Sequence, residues 1–284
     1  MKILVLGAGG MAGHVVSLYL RENGFTVDTL SAKNALDERT HLIDVMDHKM
    51  FKAFLDAHHY DVVVNCIGLL VKPSEEHKDT AIYLNAYLPH FLEAYYQDSK
   101  TKVIHIGSDA VFSSKNPPYR EDAACDGESF YGRTKALGEI QNAKDLTFRM
   151  SIVGPDMNRD GKSLFNWFYA QKGEIFGYTN VLWNGVTTIE LAKGVKAAIE
   201  QDLTGIYHLI ANDSISKFAL LQLFKEVFKR SGTTVTASEG IATGAALVNT
   251  RTGFKHQVPD YKTMIKDMKA WMENHPKLYS HYGK

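Results

Sequence analysis

Lys2-Ile3-Leu4-Val5-Leu6-Gly7-Ala8-Gly9-Gly10-Met11-Ala12-Gly13 opens the chain, and its reading decides the fold. Ile3 to Leu6 form an unbroken apolar run, as in a strand buried on both faces. Beyond Gly13 the apolar positions Val15, Val16, Leu18, Tyr19 and Leu20 follow a helical period that ends at Gly24. The order is strand, glycine turn, helix. Glycines in such a turn let the backbone bend tightly and approach a pyrophosphate, which rests on the helix N-terminus. Gly7, Gly10, Met11 and Gly13 are therefore candidate dinucleotide-binding residues, although the spacing G-x-x-G-x-x-G differs from the usual G-x-G-x-x-G.

Working outward, a second strand is expected at Phe25–Leu30. An acid that holds a ribose 2′-hydroxyl belongs about 20 residues past the glycine loop. That register falls on Ser31, Ala32 and Lys33, and Asp28 lies inside the strand. A hydroxyl and an ammonium suit a 2′-phosphate, so NADP(H) is expected, with NAD(H) left open. A short third strand over 41–45 brings Asp44 and Val45 towards an adenine. The helix of 48–58 carries Met50, Phe51, Phe54 and Leu55 as core. A fourth strand over 61–68 ends in Cys66, Ile67 and Gly68, again facing the cofactor. One long helix is expected over 75–98, with Asn85 in its middle, and a strand over 102–107 delivers Ser108 and Asp109. A sixth strand follows at Leu146–Met150.

This alternation predicts an α/β fold, a Rossmann-type doubly wound parallel sheet. Residues 1–155 are expected to form the cofactor-binding domain. Residues 156–284 form a smaller C-terminal substrate-binding lobe, with some segments returning to the sheet. Its helices are expected at 163–171, 188–201, 215–229 and 260–274, with a strand at Gly205–Leu209.

Tyr131-Gly132-Arg133-Thr134-Lys135 carries the chemistry. Tyr131 and Lys135, four residues apart, share one helix face. An ammonium there favours the phenolate and lowers the phenol pKa, so that Tyr131 can exchange a proton with a carbonyl oxygen. Ser108, at a strand end, is placed to hydrogen-bond the same oxygen. A second Tyr-x-x-x-Lys match, Tyr96 to Lys100, has no hydroxyl closing a strand upstream, and Tyr96 is expected at the surface.

The 32 Lys and Arg balance 32 Asp and Glu, so there is no electrostatic footprint for nucleic acid. Two cysteines imply no disulfide framework. No signal-peptide layout is seen, and no apolar run approaches the 18 or more residues of a membrane span. A cytoplasmic protein with no membrane partner is expected. His58 and His59 lack a third ligand at metal spacing, so no metal is expected.

With these residues in hand, the chain resembles an extended short-chain dehydrogenase/reductase, and within that group the dTDP-4-dehydrorhamnose reductases. The resemblance rests on Gly7-x-x-Gly10-x-x-Gly13, Asn65-Cys66-Ile67, Gly107-Ser108-Asp109-Ala110-Val111-Phe112, Tyr131-Gly132-Arg133-Thr134-Lys135-x-x-Gly138-Glu139 and Arg149-x-Ser151-x-Val153-x-Pro155. It implies Tyr131 as proton donor, Lys135 as the ribose-binding lysine, Ser108 as hydroxyl partner and Asn85 as support of a proton relay. Met11 stands where rhamnose enzymes often carry Gln, and Ala110 where an aromatic is usual. The stretches Leu164–Phe168 and Trp183–Val186 look more like reductases of UDP-linked N-acetylated 6-deoxy-4-keto sugars in bacterial surface-polysaccharide synthesis.

The resemblance implies NADPH-dependent reduction of the C4 keto group of a nucleotide-linked 4-keto-6-deoxyhexose by a monomer or homodimer. A retained-NAD epimerase or dehydratase and a non-catalytic subunit stay as alternatives. The resemblance to a dehydratase would imply an Asp-Glu pair after Ser108, and this chain lacks the second carboxylate, because Ala110 follows Asp109. On the substrate side, Ser108, Asp109 and Ser151 are candidate substrate-binding residues. Asn166 is a candidate for the sugar, Trp183 for the base and Arg251, between two short apolar stretches, for the diphosphate.

Overall fold

The computed structural model describes residues 1–240 and 247–283. The first half alternates as expected: β1 (Lys2–Leu6), α1 (Met11–Glu22), β2 (Thr26–Ser31), β3 (Thr40–Leu42), α2 (His48–Ala57), β4 (Val62–Asn65). Then come α3 (Val71–Glu76), α4 (Lys78–Ala81), a π-helical segment (Ile82–Tyr87), α5 (Leu88–Tyr95), β5 (Lys102–Ile106), α6 (Phe130–Leu137) and β6 (Leu146–Arg149). The second half holds β7 (Ile152–Val153), α7 (Leu164–Ala170), β8 (Gly173–Tyr178), β9 (Leu182–Trp183), β10 (Val186–Thr187) and α8 (Thr188–Glu200). It continues with β11 (Gly205–His208), β12 (Ile215–Ser216), α9 (Lys217–Val227), β13 (Thr233–Ser238) and α10 (Tyr261–Asn274).

Seven strands form one parallel sheet in the order β11-β6-β5-β4-β1-β2-β3. Successive residues of β1 point to opposite faces, and each face is buried. Ile3 and Val5 join Val15, Val16 and Leu20 of α1 and Val195 of α8 on one side. Leu4 and Leu6 join Phe51, Phe54 and Leu55 of α2 and Leu88 and Leu92 of α5 on the other. This is why the run lacks polar alternation. The strand order reverses between β1 and β4, and a crevice at their carboxyl ends is where ligands bind in such sheets.

Four expectations are corrected. Residues 75–98 are not one helix: His77 separates α3 from α4, and the chain widens into the π segment before α5. Pro89 supplies the reason. It has no N–H for the Asn85 carbonyl four residues back, and its ring crowds that carbonyl. β3 is shorter than 41–45, so Asp44 and Val45 lie in the turn beyond it. Met50 is exposed, on the outer face of α2. Tyr96 is buried, 6 % exposed, and follows the end of α5, so Tyr96 and Lys100 do not share a helix.

In the second half β11 closes the large sheet beside β6, and α8 packs on α1. Apart from these, α7, α9 and the parallel pair β8–β13 gather around Phe165, Phe168 and Phe224. Among the described residues no helix is long and apolar enough to cross a membrane.

Candidate active site

The glycine loop is compact. Gly7 has φ +82°, a conformation that favours glycine, and its carbonyl accepts from the Gly10 N–H at 2.9 Å. A Cβ on Gly13 would collide with that carbonyl, so α1 approaches β1 only because position 13 carries no side chain. α1 then starts at Met11 with no capping side chain and no acid in its first turn. Its free N–H groups and positive dipole end suit a pyrophosphate. Ser31 ends β2 with its hydroxyl beside Gly9, and Lys33 is exposed just beyond. Asp28 is turned away, paired with Lys2 at 3.1 Å and the Tyr60 hydroxyl at 3.2 Å. Across the crevice, Cys66 and Ile67 lie against Gly7. Asp44 caps its own turn through the Met46 N–H, and the Val45 carbonyl accepts from the Tyr83 hydroxyl.

Beneath the loop a directed chain runs through the core. Trp271 Nε1 donates to the Tyr279 hydroxyl at 2.9 Å, which donates to His14 Nε2 at 2.7 Å. His14 Nδ1 donates to the Gly10 carbonyl at 2.7 Å. Burial pushes the His14 pKa down to about 4, so the ring is neutral and each nitrogen has one role.

The candidate reacting groups meet at the end of β5. Ser108 is buried, accepts from the Ala110 N–H at 3.1 Å and faces the Tyr131 phenol. Asp109 donates its N–H to the Met150 carbonyl, which draws Ser151 to the same edge. Tyr131 opens α6, capped by Ser129, whose hydroxyl accepts from the Gly132 N–H at 3.0 Å. The expected lowering of the Tyr131 pKa does not hold. Burial raises it, the Asp109 charge adds to the rise, and the hydrogen bond to Ser108 opposes it. Lys135 is turned inward, donating to the Ile106 carbonyl at 2.8 Å and lying 3.2 Å from His105 Nε2.

Asn85 is fully buried. Its oxygen accepts from the Leu69 N–H at 2.8 Å, while its nitrogen faces the Leu69 carbonyl, the Ser74 hydroxyl and the Thr134 hydroxyl at 3.3, 3.4 and 3.1 Å. These contacts fasten the Gly68–Leu69 turn to α6, so the Asn85 side chain acts here as a clamp.

The substrate-side residues fare unevenly. Asn166 donates to the Arg159 and Gly161 carbonyls at 2.9 and 2.6 Å, holding the loop before α7. Trp183 is buried against Tyr261. Arg251 is a correction. Its guanidinium stands 5.3 Å from the Tyr207 ring and beside Gly205, at the amino end of β11. Gly205 is level with Leu146, and Leu146 with Ile104. Ser108 lies four residues further along, about 13 Å up the strand direction. A cavity of about 360 Å³ along β11 includes Arg251 but none of Ser108, Tyr131 or Lys135.

Lys217, which the sequence reading missed, is a cation that the fold brings beside Asp109. Its ammonium lies 5.1 Å from the Trp183 ring and interacts with Asp109. Burial pushes its pKa down and Asp109 opposes that shift. It sits at one end of an apolar groove of about 620 Å³ lined by Trp167, Ile175, Phe176, Tyr178 and Val181. The only sequence signal was a lysine at the first position of a helix, where the dipole disfavours it. Among the described residues no three His, Cys, Asp or Glu side chains are grouped to hold a metal ion.

A parallel seven-stranded sheet with a glycine turn, a serine and a Tyr-x-x-x-Lys helix at one edge defines a Rossmann-type fold of the short-chain dehydrogenase/reductase kind. The chain belongs to the RmlD substrate binding domain family, whose sequence profile matches residues 1–252. It is 29% identical over 140 residues to the spore coat polysaccharide biosynthesis protein SpsK of Bacillus subtilis, covering 49% of this chain and 47% of that one. The match thus spans about half the length of that relative. It is 26% identical over 223 residues to the dTDP-4-keto-6-deoxy-D-glucose reductase of Streptomyces niveus, covering 72% and 71%. The fold is similar to that of the dTDP-4-dehydrorhamnose reductase of Bacillus anthracis solved with NADP, at TM-score 0.80 and 18% identity, covering 95% of this chain and 99% of that one.

Proposed function

We propose that the protein is an NADPH-dependent reductase of the C4 keto group of a nucleotide-linked 4-keto-6-deoxyhexose, made for a surface polysaccharide. The observation that carries this is Ser108 facing Tyr131 at the carboxyl end of β5, on the same sheet edge as the glycine loop. The loop and the uncapped start of α1 hold the pyrophosphate, and Ser31 with Lys33 meets the 2′-phosphate. The bound cofactor supplies hydride. Tyr131, kept protonated by its raised pKa, gives its proton to the oxygen that gains charge, and Ser108 donates to the same oxygen. Lys135 stabilises the phenolate left behind once it stands beside the ribose. Lys217 binds the diphosphate, and the groove of Trp167, Phe176 and Tyr178 takes the flat base. Residues 1–155 form the cofactor domain, and α7, β8, α9 and β13 the substrate lobe.

The test is NADPH consumption with dTDP- and UDP-linked 4-keto-6-deoxy sugars, with mass spectrometry of the product. Net oxidation with a gain of two hydrogens in the sugar is expected. A cofactor that co-purifies and is never consumed would instead indicate an epimerase or a binding subunit.

A further inference from the structure

Lys135 sits at the end of a buried polar chain that the reductase chemistry does not use. Asn65 accepts from the Ile67 N–H through Oδ1 at 3.1 Å, which fixes its amide. A flipped amide would set an NH₂ against that N–H. The Asn65 nitrogen therefore faces His105 Nδ1, at 3.2 Å. An amide nitrogen only donates, so Nδ1 accepts. His105 is fully buried, and burial, the largest cause, holds its pKa well below the ordinary value, so the ring is neutral whichever form Lys135 takes. Its one proton is on Nε2, pointing at Lys135 Nζ, 3.2 Å away. An ammonium has three donors and no acceptor, whereas a neutral amine has a lone pair. The contact is a hydrogen bond only when Lys135 is neutral. One of the amine hydrogens then goes to the Ile106 carbonyl at 2.8 Å.

We propose that His105 is a positioning residue that, in mildly alkaline solution, seats Lys135 inward as a neutral amine, so that dinucleotide binding there draws it out to the ribose and takes up one proton from solvent. The coupling to a dinucleotide rests on the reductase reading; the seat itself does not. The titratable and charged groups facing Lys135 are His105 on β5, Cys66 after β4 and Glu139 after α6. The Cys66 thiol is pushed up to about 12 by burial and is neutral. Glu139 is held by Arg149 at 2.6 Å. The Lys135 pKa is pushed down to about 8 by burial, with Glu139 and Cys66 opposing.

The seat is tested in the ligand-free full chain, by NMR titration of lysine ε-carbons, with the Lys135 signal assigned by its loss in Lys135→Met. A midpoint about two units below the usual ~10.4 is expected. His105→Gln offers an oxygen to the ammonium and should raise the midpoint by at least one unit. His105→Asn, which also lacks the ring N–H, serves if that variant does not fold. A midpoint above 10 in the parent, or one unchanged by removing His105, overturns the seat. Burial alone would act equally in both proteins. Calorimetry of NADP⁺ binding in buffers of different ionisation enthalpy then reads the coupling. Uptake near one proton is expected at pH 9, and little at pH 6.5. Saturable binding without uptake at pH 9 overturns the coupling. An absence of binding counts against the reductase reading, while the ligand-free titration still decides the seat.

Discussion

The Arg149 guanidinium grips the Glu139 carboxylate at both ends, Nε to Oε1 at 2.6 Å and Nη2 to Oε2 at 2.7 Å. Both side chains are buried, and Arg149 also donates to the Glu121 carbonyl and lies over the Phe112 ring. The pair binds the chain just past α6 to β6. Glu139→Ala leaves a buried guanidinium unpaired and should cost about 3–5 kcal/mol, read from urea unfolding at constant slope. Arg149→Lys keeps the charge but loses the fork, and its loss should be smaller.

Tyr131→Phe keeps the ring and removes the transferable proton. Turnover with a 4-keto sugar should fall roughly 10²–10⁴-fold while NADPH affinity holds. Tyr96→Phe is the control. The Tyr96 hydroxyl is buried with no hydrogen-bond partner among the described residues, so its removal should leave activity intact and stability unchanged or improved. Equal losses in the two variants would sink the assignment of the acid.

Stability should fall in acid through His14. Its pKa is 6.5 in the unfolded chain and about 4 in the folded one. Between those values the unfolded chain binds a proton that the folded one does not. The His14 contribution is therefore whole above pH 6.5 and is lost as pH falls towards 4. The loss is about 3 kcal/mol. His14→Gln should flatten the pH dependence of the urea midpoint relative to the parent over that window, and an identical slope would count against the burial argument.

Lys217→Ala should raise the KM for the nucleotide sugar at least tenfold, about 1.4 kcal/mol, with NADPH affinity unchanged. Arg251→Ala should change it less than twofold, since that guanidinium lies at the other end of the sheet. The reverse result would return the diphosphate to the loop after Asn249.

The cofactor half was legible because its signals are local. An apolar run, a glycine spacing and a helical period each settle a few residues, and parallel strands must then be joined by crossovers. Tyr131 and Ser108, which the fold brings face to face, were read the same way. What failed depended on distant parts of the chain. Residues 249–251 are fastened by Glu121, which accepts from the Thr250 N–H at 3.1 Å, and nothing near Arg251 in sequence records that. Lys217 and Asp109 are likewise distant in the chain and adjacent in the fold. The π segment was readable in principle from Pro89, and the clamp role of Asn85 was not, because Leu69 and Thr134 reach it only after folding. The pair β8–β13 escaped because the outward positions of β8 are the aromatics Phe176 and Tyr178, so burial alternates along the strand while the sequence shows no apolar–polar alternation.

The chain of Trp271, Tyr279 and His14 also sets an order in time. The hydroxyl that steadies the nucleotide loop is made 265 residues after the imidazole it serves. At a synthesis rate of about 5–20 residues per second, the glycine loop waits on the order of ten to fifty seconds for that support. A nascent chain halted before Trp271 has β1, the glycine turn and α1 in hand, yet its His14 Nε2 has no Tyr279 hydroxyl to accept from. Nucleotide affinity should thus be acquired late in translation, well after the strands that surround the loop have been made.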